Sequence, residues 1–288
     1  MGIRVFYENE KGRILEFSKL TGIRLTAIDS ISGNTIDLSE STVDGQIGST
    51  LTGYSVQAKD ITLEGRYHYD AGVRRQILAT ILPGVNAKLR YVNEEEGVDV
   101  YWEAAPKKTP IISLNPVWQS FQVTLRLTCP YPRKTKESSY GFQTKKSMFK
   151  FPRSYSNTVP FKITTLEATP LITIDNEGDL DSGFIVRMKA NADGITSPYV
   201  TNVDTQETLR FNGLTLSAGN ILEICTRPNE KYAHLITKEG SSNVFGAMDY
   251  NSSFFQLKPG KNYLRAGAST NEAQLETTLV FNEVTAGV

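Results

Sequence analysis

The chain has 288 residues, enough for two domains that each bury a core of their own. Lysine plus arginine equals aspartate plus glutamate at 31 each, so no net field draws the protein to nucleic acid or to an anionic membrane surface. Two cysteines and two histidines leave little for a disulfide framework, a zinc site or a histidine-based triad.

After Met1, the charges Arg4, Glu8, Glu10 and Lys11 interrupt any apolar leader, and no apolar run approaches the roughly 20 residues that span a bilayer. The expectation is a chain neither exported by a cleaved signal nor embedded in a membrane. Arg13 to Ile28 reads as two short strands around Lys19-Leu20-Thr21-Gly22, with Ile23, Leu25 and Ala27 alternating. Asp29 to Gly53 differs: it is polar and rich in Ser, Thr and Gly, with sparse apolar anchors. Two readings stay open for it, a mobile hairpin or an arm that orders against a neighbouring copy. On the second reading Leu38, Val43, Ile47, Leu51 and Tyr54 are the subunit-interface residues.

Ala58 to Arg66 alternates as a half-buried strand, with Ile61 and Leu63 on one side and Thr62 and Glu64 on the other. Asp70 then stands where an N-cap belongs, and Val73, Ile77 and Ile81 form one apolar stripe with Leu78 beside it. The spacing predicts a helix over about 70–82, ended by Pro83-Gly84 and packed on an antiparallel sheet as core. Leu89–Val92 and Val98–Glu103 pair across Asn93-Glu94-Glu95-Glu96-Gly97, whose carboxylates read as an exposed hairpin tip, since a calcium loop needs alternating ligands and a spaced glycine. Gln119 to Thr128 is the cleanest strand, with Phe121, Val123, Leu125 and Leu127 facing one way.

The first domain is expected to span 1–132, followed by a basic and aromatic connector over 133–160 and a second domain over 161–288. In the connector Arg133, Lys134, Lys136, Lys145, Lys146, Lys150 and Arg153 mix with Tyr140, Phe142, Phe149, Phe151 and Tyr155. Such mixing suits a single-stranded nucleic-acid groove, but packed aromatics with solvated lysines explain it without one. Cys129 and Cys225 fall in different domains, each in a strand-like run, and are expected to be buried free thiols. From Phe161 on, short strands recur between turns, the pattern of a sandwich: Ile172/Ile174, Phe184/Val186/Met188, Leu209–Phe211, Leu214–Leu216, Leu222–Ile224, Tyr232–Ile236, Phe254–Leu257, Tyr263–Ala266 and Leu275–Phe281.

Several stretches, in this order, resemble the distal tail proteins of phages with long non-contractile tails. They are Asp60-Ile61-Thr62-Leu63-Glu64-Gly65, the helix, Leu82-Pro83-Gly84, and Phe121 to Pro130 in the first half. In the second half they are Ile174 to Asp179, Leu216-Ser217-Ala218-Gly219-Asn220 with Glu223-Ile224-Cys225-Thr226, and Ser253 to Asn262. The resemblance implies an all-β, mainly antiparallel protein with one short helix: an N-terminal ring-forming β domain and a C-terminal galectin-like β-sandwich on the outside. It implies a structural virion component at the tail tip of a phage or prophage, made in the bacterial host cytoplasm. It further implies a hexameric ring with the major tail-tube protein, a tail-associated hub or fibre protein and receptor-binding proteins as partners, and no cofactor.

A carbohydrate-binding module is the alternative, because galectin-like sandwiches can hold saccharides. Both tryptophans, Trp102 and Trp118, lie in the first half, and His234 is followed by Leu235-Ile236 rather than by Asn and Arg at alternate positions. An enzyme has little to draw on: His68 in Tyr67-His68-Tyr69-Asp70 reads as a local cap or hydrogen-bonding group, and no pair of carboxylates stands out.

Overall fold

A computed structural model of the chain describes residues 2–147, 164–168 and 171–288. It divides into two compact units, Met1–Lys136 with Val284–Val288, and Glu137–Glu283. No helix among the described residues is long and apolar enough to cross a membrane. The strands of both units pair antiparallel, and the described residues contain one α-helix.

The first unit is built from β1 (Arg4–Asn9), β2 (Ile14–Phe17), β3 (Arg24–Asp29), β4 (Ile36–Ser41), β5 (Thr50–Val56), β6 (Lys59–His68), α1 (Ala71–Thr80), β7 (Ala87–Asn93), β8 (Val98–Pro106), β9 (Ile111–Ile112) and β10 (Trp118–Leu127). Strand neighbours run β2-β1-β7-β8-β10-β6-β3, and β9 adds to β10. The sheet rolls over one core. Phe17 of β2 stacks on Phe121 of β10 at 5.5 Å, and alternate residues of β6 and β10 (Ile61, Leu63, Phe121, Val123, Leu125, Leu127) are buried against them. Gly65 is required at this contact, since a β-carbon there would sit 2.5 Å from both Arg24 O and Phe121 Cζ.

The helix begins as expected. The Asp70 carboxylate accepts from the backbone amides of Gly72 (2.6 Å) and Val73 (3.4 Å). Ile77 and Ile81 are buried in the core with Val73 packed beside them, whereas Leu78 lies on the exposed side. At the other end, the open carbonyls of Ala79 and Thr80 accept from Arg13 Nη1 (2.8 Å) and Asn9 Nδ2 (2.9 Å). The β1–β2 hairpin therefore serves as the helix's C-terminal cap. β1 itself is absent from the sequence expectations because buried Asn9 breaks its apolar alternation in order to make that bond.

Two details of the sequence reading change. Arg133–Gly141, placed in a connector by its polar composition, is a strand, β11, that begins in the first unit and ends in the second. Val284–Val288 returns to the first unit, where Thr285 N donates to Pro132 O. Residues 148–160 of the connector lie outside the described residues. Of its described aromatics, Tyr140 stacks on Phe281 and Phe142 is buried in the second core.

The second unit is a two-sheet sandwich. One sheet runs Leu275–Val284, Phe184–Ala190, Ile221–Cys225, Tyr232–Thr237, Gly240–Asn243; the other runs Ile172–Asn176, Gly260–Gly267, Tyr199–Asn202, Thr208–Arg210. Inward residues Ile174, Phe184, Val186, Met188, Leu222, Ile224, Leu264, Leu279 and Phe281 share one core. Phe254–Leu257 is not a strand: only Leu257 makes a bridge, to Ser182, while its carbonyl also accepts from Asn176 Nδ2 at 3.0 Å. Asn176 Oδ1 in turn accepts from Gly178 N (3.1 Å), so the Asn-Glu-Gly-Asp turn is organised by a buried amide. Neither cysteine is in a disulfide, Cys225 being buried and Cys129 half-buried.

Tyr7 is fully buried and its hydroxyl finds no hydrogen-bond partner among the described residues; burial pushes its pKa up to about 12. Removing that orphan oxygen in Tyr7→Phe is expected to stabilise the first unit by about 1 kcal/mol, read as a higher urea midpoint at unchanged slope. Gly65→Ala is expected to cost about 1–3 kcal/mol through the forced contact with Phe121, measured in the same titration.

Candidate assembly surface

The segment from Ile36 to Val56 folds as a two-stranded sheet, β4–β5, that pairs with no other strand among the described residues. Its turn is made by Gly45 and Gly48, both at positive φ, with Gln46 N donating to Val43 O at 2.9 Å. Its root is held: Lys59 Nζ donates to the carbonyls of Ile31 (2.9 Å) and Gly33 (3.3 Å), and Gln57 N donates to Thr35 O (3.0 Å). The open readings therefore meet in one object, a hairpin anchored at its base.

Register decides which side chains share a face. Ile36 lies opposite Val56 and Leu38 opposite Tyr54. Simple alternation would then turn Leu51 to the other side. A bulge between Ser39 and Glu40 sets Leu51 opposite Glu40 and restores it to the face of Tyr54. Leu38, Leu51 and Tyr54 are thus brought together, while Val43 and Ile47 sit at the tip. Their exposures are 58%, 57%, 71%, 70% and 102% in that order, so none of the five has a core to enter.

The sandwich carries a second cluster, which a reading along single strands misses. Arg187, Glu223, His234 and Asn243 stand directly opposite one another on adjacent strands. Arg187 Nε donates to Glu223 at 2.6 Å, Tyr232 Oη donates to its other oxygen at 2.7 Å, and Tyr232 stacks on His234 with centroids 4.7 Å apart. Burial opposes ionisation of Glu223, but the two hydrogen bonds outweigh it and hold the carboxyl below its usual value. Both carboxylate oxygens of Glu223 are thus engaged within the sheet.

Both tryptophans belong to the first unit. Trp102 is buried in the first core, its Nε1 donating to Pro130 O at 3.1 Å, and Trp118 lies in the same unit with His68 stacked on it at 3.5 Å. His68 thus takes up a stacking role, and the helix cap falls to Asp70. Glu94, Glu95 and Glu96 form the exposed β7–β8 turn, and Glu94 meets Arg4 at 3.3 Å. No group of three potential metal ligands occurs among the described residues.

Residues 177–284 match the family described as siphovirus-type tail component, C-terminal domain. Over nearly its whole length the chain is similar to the crystal structure of SPP1 Dit, titled a paradigm of the hub adsorption apparatus in phages infecting Gram-positive bacteria. The TM-score is 0.63 at 13% identity, covering 97% of this chain and 98% of that one. A chain of the phage P2 baseplate in its activated conformation with Ca is also similar (TM-score 0.59, 12% identity, 100% of both chains), as is its counterpart with Sr (0.59, 11%, 99% of both). Residues 177–284 thus match a siphovirus-type tail component domain, and the chain as a whole has a fold similar to that of SPP1 Dit. Comparison with curated protein sequences finds no match.

Because Glu223 ionises more readily in the folded than in the unfolded chain, its contribution is complete above the ordinary carboxyl value of 4.5 and is lost as pH falls through the lower folded value. Glu223→Gln is expected to lower stability at neutral pH by about 1 kcal/mol and to flatten the decline of stability below pH 4.5, measured by denaturant unfolding across a pH series.

Proposed function

We propose that the chain forms a hexameric ring at the tip of a phage tail and joins the tail tube to the baseplate hub and host-recognition proteins. Its task is geometric, with no bond made or broken. The observation that carries this reading is the β4–β5 arm. An apolar face on an anchored hairpin is stable in a soluble particle only when another surface covers it. The α1 stripe is spent on its own core, so the arm is what remains to reach a neighbour. Contacts between unlike surfaces close into a ring when the rotation per copy divides a full turn. In this reading the first unit makes the ring and the sandwich, a galectin-like module, offers docking surface to fibre or receptor-binding proteins. The engagement of both Glu223 oxygens by Arg187 and Tyr232 supports this adaptor role over direct sugar binding.

Negative-stain images of the purified protein should show rings with sixfold symmetry in averaged end-on views. A compact monomer at every concentration, or another symmetry, would count against the proposal. The double variant Ile47→Asp with Leu51→Asp is expected to abolish the rings while changing unfolding free energy by no more than about 0.5 kcal/mol, since both side chains touch water in the single copy. Sedimentation and a thermal melt on the same sample check the two halves of that statement.

A further inference from the structure

An asparagine followed by glycine is chemically labile, because the glycine nitrogen can reach the side-chain amide with no side chain of its own in the way. Asn212-Gly213 is the one such pair in the chain. It lies in the turn after Thr208–Arg210, with both residues exposed and Gly213 at a φ of 75°. Apart from its chain neighbours, no atom comes within 4 Å of where a Gly213 β-carbon would stand. Among the described residues no hydrogen bond holds the Gly213 amide. Asn251-Ser252 differs, since the Ser252 amide donates to Asp249 O at 2.9 Å. The Asp-Gly pairs Asp44-Gly45 and Asp193-Gly194 present carboxylates, which resist nucleophilic attack where an amide does not.

The Asn212 side chain is also a latch. Its Nδ2 donates to Asp249 Oδ2, an exposed bond that water can replace, and Asp249 Oδ1 accepts from Asn251 N at 2.8 Å. The same segment covers the edge of Thr208–Arg210. Asp249 N donates to Arg210 O (2.8 Å), Ser253 N donates to Thr208 O (3.0 Å), and Ser252 Oγ accepts from Arg210 N (2.9 Å). Phe211 bridges Met248 beside them.

We propose that Asn212 is a deamidation site and that its conversion loosens residues 248–253 from the edge of the sandwich. The Gly213 nitrogen attacks Asn212 Cγ. The Cγ–Nδ2 bond breaks, and that nitrogen leaves as ammonia with the proton that Gly213 gives up. The cyclic imide then takes up water at either carbonyl and opens to aspartate or to isoaspartate. Water is the only co-reactant, so a free chain and an assembled one undergo the same reaction. Either product puts a carboxylate where an amide donor stood. Asp249 then faces a second acceptor of its own charge, and the pair repels.

Peptide mapping of the natural chain, sampled over weeks in warm, mildly alkaline buffer, should show the mass gain of amide-to-acid conversion at Asn212 ahead of every other asparagine. Asn212→Gln should lose that conversion, because its longer side chain closes a ring far more slowly. Amide hydrogen exchange over 248–253 should quicken by about tenfold in Asn212→Asp, the equivalent of one lost hydrogen bond, and should quicken likewise in the aged natural chain. Asn212→Asp combined with Asp249→Asn should return it to the natural rate, since donor and acceptor have changed places. An Asn212 that outlasts other asparagines, or that is intact at the end, would overturn the site. Exchange over 248–253 that is unchanged after conversion, or still fast in the double variant, would overturn the latch.

Discussion

A two-stranded sheet has no interior, and this one constraint organises the molecule. Every other strand of the first unit lies on a core into which alternate residues can point; β4 and β5 do not. The bulge at Ser39/Glu40 makes the exposure sharper, because it gathers Leu51 onto the side already holding Leu38 and Tyr54. A neutral loop would scatter its apolar residues and bury what it could. This one concentrates them and stays out, held at its root by Lys59. Burial lowers the pKa of that lysine, but its two carbonyl partners favour the charged form that grips the root.

The first unit can leave the arm free because its core is complete without it. Phe17 reaches across to Phe121 over Gly65, and the helix fills the remaining space with Ile77 and Ile81. The helix in turn depends on polar partners at both ends: Asp70 at its start, Asn9 and Arg13 at its finish. Local chemistry, packing and the exposed hairpin thus belong to one design, in which a self-sufficient body holds out a segment that is not self-sufficient.

What the amino-acid sequence discloses is whatever repeats with the period of its own element. Phe121, Val123, Leu125 and Leu127 read as one buried face and are one; Asp70 with Val73, Ile77 and Ile81 reads as a capped helix and is one. β1 escapes because an inward-facing position holds Asn9, placed there for the carbonyl of Thr80. β11 escapes because a half-exposed strand that mixes charged and polar residues has the composition of a linker. Phe254–Leu257 misleads in the other direction, its burial being real and its pairing limited to one bridge. The five arm residues are visible as sparse anchors in a polar stretch, but the face that Leu38, Leu51 and Tyr54 share depends on a bulge that no periodicity reports. The Arg187–Glu223–His234 row is hidden altogether, since its members are neighbours only through cross-strand register.

Net charge conceals as much as it reveals. Equal numbers of acids and bases argue against attraction to a polyanion, and for that purpose the total is the right quantity. Association between copies depends on where the charges sit. The arm from Ile36 to Val56 holds only carboxylates among its charged residues, Asp37, Glu40 and Asp44, while a groove touching β2 and β3 carries Arg4, Lys19, Arg24 and Arg66 against Glu94 among apolar residues. Beyond a screening length of about 8 Å at physiological salt these opposite patches cancel, and within it they do not. A total of zero therefore describes attraction at a distance, and local segregation of sign describes what a partner meets at contact.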